Sequence, residues 1–319
     1  MALSISRSTP FRWLQSRIGS STYQLNTLLV GLQLVSEGGG DGGAIAVTWP
    51  KPKSLDQAKQ TANRAKAFAC RSALVLAGDI ADSFVRRFAC EEWLGFSSAT
   101  REVATKAKTR PKSQGGDYSI AERATCICEE LDIRDEVKIA ALDLLTRWRN
   151  TVVHSGDRSR RLQAGHESIL IDAALHFYED YSHFDIELAL KNFRAGSMPV
   201  PKEATSLIAA FVNLARALDK AAIRRAADTP DKICVAADSM LRSYFRARDD
   251  RPTSPWRELS DAWQGEAKRR RGMLMKFWAT SGLTENKSPI SAELPAYFIE
   301  EIVDLGREAF ATRFGIGPS

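Results

Sequence analysis

The sequence predicts an all-α protein with a short irregular or β-hairpin N-terminal segment. Three observations carry this. From Leu55 onward apolar residues recur at steps of three and four, the period of a helix face. Gly and Pro fall between those runs far more than inside them. No alternating apolar–polar stretch of strand length follows residue 55. The 319 residues are enough for two modest domains or one large one. A hydrophobic content of 44% with 26% charged residues fits a globular chain.

The first segment spans residues 1–54. Its start, MALSISRSTPFRW, lacks the apolar core of a secretory signal. The run Leu28 to Val35 is too short to cross a bilayer, so no membrane partner is expected. Thr22 to Val35 and Ala44 to Trp49 carry β-branched and aromatic residues on either side of a turn rich in glycine, Gly38 to Gly43. That pattern suggests a hairpin, or a loop between two short elements.

Residues 55–195 form the second segment. Residues 56–94 hold no Pro and a single Gly, Gly78, while Leu74, Ala77, Ala81, Phe84 and Phe88 make one apolar face. One long helix is expected, with Gly78 as the place for a kink. Asp79 and Asp82 lie on it, and Arg86 is spaced to pair with Asp82. A basic connection, residues 97–118, leads to a capping box at Ser119 and Glu122. Ile120, Ala124, Ile127 and Leu131 then mark a short helix. A second start near Asp135 opens a helix with the stripe Val137, Ala141, Leu144, Trp148 and Val152, with Gly156 placed to end it. Another helix is expected from Glu167 to Phe193.

Gly196 to Pro201 marks a break, and residues 196–319 read as a second helical unit. Helices are expected at 203–227, 231–248, 255–280 and 294–313. Five cysteines in irregular spacing, including Cys126 and Cys128, suit reduced thiols in a cytoplasmic protein better than disulfides or a zinc site. A net charge of +6 and a pI near 9.1 are compatible with nucleic acid or an acidic partner without requiring either.

Residues 147–156, RWRNTVVHSG, gather the chemistry a phosphodiester requires. Arg149 offers a planar fork of donors for a phosphate, and His154 moves protons near neutral pH. Asn150 lies one helical turn before His154, where an amide could orient the ring or bond the phosphate. The Arg-Asn-x-x-x-His string, set in this helical context, resembles the signature of the HEPN superfamily over about residues 55–195. The resemblance implies an antiparallel helical bundle that dimerises through the motif region. It also implies a metal-independent endoribonuclease of the toxin or phage-defence type, with RNA as substrate and no cofactor. An antitoxin or regulatory protein would be a further partner.

Helix geometry qualifies the motif. Asp143, Arg147, Asn150 and His154 share one polar face, whereas Arg149 lies roughly 140° from His154. Unwinding of the last turn, a curled Arg side chain, or a dimer that pools both copies would each bring the two together. Arg147 is therefore kept as an alternative to Arg149. Downstream, Arg158, Arg160 and Arg161, like Arg147, could hold RNA phosphates, or line a solvated loop. A non-catalytic RNA-binding or protein-interaction module is the alternative reading of the same residues.

Two further clusters are weaker. His176, Asp180 and His183 would share a helix face able to bind a metal, but no matching ligands occur elsewhere, so no metal is assigned. Lys268 to Arg271 precede Met273, Met275, Phe277 and Trp278; the two aromatics are expected to face the core and the arginines water. No P-loop, dinucleotide fingerprint or nucleophile elbow is present.

Overall fold

A computed structural model describes residues 2–39, 52–106, 116–153, 160–245, 255–263 and 265–316. Among the described residues there are fourteen α-helices and one two-stranded sheet, so the chain is mostly helical. None of these helices is long and apolar enough to cross a membrane.

Strand β1, Leu3–Ile5, is followed by helix α1, Thr9–Ser36. Ser8 caps α1 by accepting a bond from the Phe11 N–H, and Pro10 sits in the first turn, where its missing donor is harmless. The expected strand over residues 22–35 is thus helical. Phe11, Leu14, Ile18 and Leu25, spaced by three, four and seven, bury one side of α1, and that packing overrides the β-branched content of Thr22, Thr27 and Val30. The second arm of the expected hairpin, Ala44 to Trp49, lies outside the described residues.

Helix α2, Leu55–Cys90, is the single long helix expected, roughly 54 Å at 1.5 Å per residue. It runs antiparallel to α1. Arg87 stacks on Trp13 near one end, and Lys66 donates to Gln33 near the other. A 3-10 turn at Glu92–Leu94 and α3, Ser98–Ala104, follow. Helix α4, Ile120–Glu130, begins with the expected capping box, in which Ser119 and Glu122 satisfy each other's backbone N–H.

Helix α5, Glu136–Val153, is the central element and packs on α2, α4, α6 and α9. Ala140 to Leu145 and Trp148 are buried, and the Trp148 indole donates to the Ser197 carbonyl. The segment from 167 to 193 is broken into α6, His166–Asp172, α7, Ala174–Asp180, and α8, Ile186–Ala195. Ser182 and His183 adopt positive φ, and Asp185 caps α8 through the Leu188 N–H, so the last break is built into the chain.

Helix α9, Pro201–Ala227, matches expectation closely, and α10, Pro230–Phe245, begins where expected, the last expected residues 246–248 lying outside the described residues. The 255–280 segment divides at Gly265, φ 122°, into α11, Pro255–Trp263, and α12, Ala267–Ser281. The 294–313 segment divides at Leu305–Gly306 into α13, Ala296–Asp304, and α14, Arg307–Phe314. One strand occurs where none is expected: β2, Leu283–Glu285, pairs antiparallel with β1, with Ser4 opposite Thr284. Three residues are too few for an alternating pattern to register. Most of the buried apolar residues form one cluster, reaching from Leu3 to Ile316.

The N-terminal turn is tied to this core by Asp219 of α9, whose two carboxylate oxygens accept from the Ser8 N–H at 3.2 and 3.3 Å. Burial pushes the Asp219 carboxyl up to about 7, against the opposing pull of the Ser8 bonds and the Arg7 charge. A carboxyl raised in the folded state adds stability that is full below its ordinary range near pH 4. That stability is lost as pH rises through about 7. Between those limits Asp219 should contribute a fall on the order of 4 kcal/mol. Asp219→Asn should remove this slope, so that urea titrations from pH 4 to 8 give a flatter stability profile than the parent chain. Identical profiles would refute the assignment.

Candidate functional site

Helices α2, α4 and α5 enclose a cleft of about 390 Å³. Arg147, Arg149 and Asn150 of α5 line it together with Gly78, Asp79 and Asp82 of α2 and Ser119 and Arg123 at the start of α4. The two arginines that helix geometry separates therefore reach one space.

Gly78 is what lets Arg149 do so. A Cβ at Gly78 would stand 3.1 Å from the Arg149 Cγ, so the aliphatic part of Arg149 lies directly across α2. Its guanidinium then donates to Asp79 Oδ1 at 2.5 Å and to Asn150 Oδ1 at 3.0 Å. Asp79 is 56% exposed, so this pair contributes about 1 kcal/mol or less, and an incoming anion competes with it readily.

Arg147 is held differently. Its Nε donates to Asp143 Oδ1 at 3.4 Å. Asp143 is fully buried, and its other oxygen accepts from the Gln163 N–H at 2.7 Å and meets His166 Nδ1 at 3.0 Å. The Gln163 amide donates in turn to Ser119 Oγ, which ties the chain after the motif to the capping box of α4. Sequence reasoning missed His166 and Gln163 because both precede or open a short helix outside the motif. The one signal available was Asp143 itself, a carboxylate amid the apolar residues of α5 that needs partners once buried.

On the far side of the cleft Arg123 is fully buried and donates to Asp82 and, at 3.0 Å, to the Ala104 carbonyl. Burial alone would raise the Asp82 carboxyl. The hydrogen bond and charge of Arg123, with Lys106 and Arg86, outweigh it and hold Asp82 below the usual carboxylate range. Lys106, Arg123, Arg147 and Arg149 thus face Asp79, Asp82, Asp117 and Glu122, a balanced set of charges.

His154 and Arg158 lie outside the described residues, as does Gly156. Val153 is the last described residue of α5, and Arg71 of α2 donates to the Val152 carbonyl at 2.9 Å. Arg71, not singled out in the sequence, therefore satisfies an end carbonyl of the motif helix. Arg160 does not line the cleft. It donates to the Arg194 carbonyl at 3.3 Å and packs on Gly196 at the end of α8. Arg161 is exposed and also outside the cleft.

His176 pairs with Asp180 at 2.9 Å, but His183 lies beyond the end of α7 with its ring against Tyr178, so the three do not share a helix face. Phe277 and Trp278 of α12 are buried, as expected, together with Leu274, while Met273 and Met275 are half-buried; Arg271 pairs with Glu300. Burial pushes the Cys70 thiol up to about 11 and that of Cys128 to about 12, which makes both inert near neutral pH.

Gly78→Leu should drive Arg149 off α2 and cost about 1–3 kcal/mol in urea unfolding; an unchanged midpoint would show that α5 does not cross α2 this closely. His166→Ala should leave the buried Asp143 short of a partner and cost about 1–3 kcal/mol. The same substitution at His176, whose pair is exposed, should be nearly silent in thermal unfolding. No protein-family model, curated protein or solved structure matches this chain.

Proposed function

We propose that the chain is a metal-independent endoribonuclease of the toxin or phage-defence type, built on a HEPN-like bundle and acting on RNA as a homodimer in the cytoplasm. The observation that carries the reading is the convergence of Arg147, Arg149 and Asn150 on one open cleft, at the end of the helix that His154 follows directly. The Asp79–Arg149 pair supports it further. A carboxylate on that guanidinium occupies the kind of place a phosphate would take.

In this reading the 2′-hydroxyl of RNA attacks the adjacent phosphorus as its proton passes to one His154 imidazole. The second His154 of the dimer protonates the departing 5′-oxygen. Arg149, with Arg147 beside it, neutralises the charge of the phosphorane, and Asn150 orients its neighbours. The products are a 2′,3′-cyclic phosphate and a 5′-hydroxyl. An antitoxin or regulatory protein would restrain the activity.

A second reading, a non-catalytic RNA-binding or interaction module, draws on a different observation. Asp79 and Asp143 already hold Arg149 and Arg147 within the chain, and the cleft is charge-balanced. Incubation of single-stranded RNA with the full chain separates the two. Cleavage to cyclic-phosphate ends, undiminished by EDTA and reduced about 10²- to 10⁴-fold in His154→Ala and Arg149→Ala, is the expected outcome. Full cleavage by His154→Ala would sink the catalytic assignment, and RNA bound but intact would favour the second reading.

A further inference from the structure

A second concave site shares no residue with the cleft. It has a volume of about 660 Å³ and lies where the start of α1, the C-terminal half of α9 and the segment after β2 meet. Five cations line it: Arg7, Arg216, Lys220, Arg224 and Lys287. The one carboxylate in its wall, Asp219, is buried and committed to the Ser8 N–H.

These cations differ from those of the cleft. Among the described residues none of the five forms an ion pair with a carboxylate, whereas Arg147 and Arg149 both do. Arg216, Lys220 and Arg224 also stand at successive steps of four on α9, so they form one stripe. Like charges at that spacing oppose the helix by a few tenths of a kcal/mol per pair. Arg7 and Lys287, brought in from two other elements, add to the same local excess. A run of cations on one helix is usually a solvated face. Here three separate elements aim theirs around one cavity, and the size of that cavity falls in the range of small-molecule sites.

The chemistry of the wall narrows the ligand. Guanidinium groups match the oxygens of a phosphate in pairs, and several cations at once suit several phosphates. The one aromatic side chain of the wall, Phe11, is only 2% exposed and offers no open face for a base to stack on. Single-stranded nucleic acids depend on such faces for much of their affinity. We propose that this cavity binds a small polyphosphate anion of nucleoside triphosphate size, with Arg7, Arg216, Arg224 and Lys287 on its phosphates. The proposal stands apart from RNA cleavage and does not rest on it. Because the cations come from the segments after β1 and β2 and from α9, an occupied site would fasten both of those segments to α9.

The test is calorimetric titration of the full chain with inorganic tripolyphosphate and, separately, with ATP, each followed by thermal unfolding. Saturable one-to-one binding with a raised Tm is expected. Affinity should fall at least tenfold in Arg216→Gln/Arg224→Gln and, independently, in Lys287→Ala, all exposed positions whose replacement leaves the circular dichroism unchanged. Tighter binding of ATP would assign a nucleotide, and equal binding the phosphate chain alone. Absence of saturable binding to both probes at millimolar concentration would overturn the proposal. So would affinities that the substitutions leave untouched, or binding of an RNA oligonucleotide at these residues in place of tripolyphosphate. RNA cleavage by Arg216→Gln/Arg224→Gln should remain at the parent level, so loss of one reading does not decide the other.

Discussion

The close passage of α5 over α2 at Gly78 is the constraint on which the cleft depends. A glycine inside a helix costs about 1 kcal/mol relative to alanine. Here it frees the space in which the stem of Arg149 lies across the neighbouring helix. That placement carries the guanidinium to Asp79, opens a polar space between the two helices, and leaves Trp148 on the other side of α5 in the core with Phe193. A bulkier residue at position 78 would separate the helices and dissolve both the cleft and part of the packing around it.

The two concave sites manage charge in opposite ways. In the α2–α5 cleft, the three arginines, buried or half-buried, meet carboxylates of the same chain, and Arg123 shows why. A fully buried guanidinium must be compensated, and Asp82 and the Ala104 carbonyl do it. In the α9 cavity the cationic residues are exposed, so water and salt screen them and no internal carboxylate is required for folding. The first arrangement balances its charges within the chain. The second leaves a local positive excess that solvent and salt screen.

Much of the helical framework was legible from periodicity and punctuation. The length of α2, the capping box of α4, the stripe of α5 and the limits of α9 all follow from local pattern. What local pattern could not reveal was set by distant partners. Residues 22–35 are helical because α2 covers one side of α1, and β2 is a strand because β1 comes to it. The same holds for the candidate site. Arg147, Arg149 and Asn150 were visible as a motif, but Gly78, Asp79 and Arg123 entered from helices far away in sequence. His166 was hidden because its role is to satisfy Asp143, a demand that exists only once α5 is buried.

The pairing of Leu3–Ile5 with Leu283–Glu285 has a consequence for biogenesis. A strand that needs a partner about 280 residues downstream cannot settle while the ribosome is still making the chain. At roughly 5–20 residues per second the wait is roughly 15–55 s. During that time Leu3 and Ile5, both sealed from water in the finished fold, lack the strand they pair with.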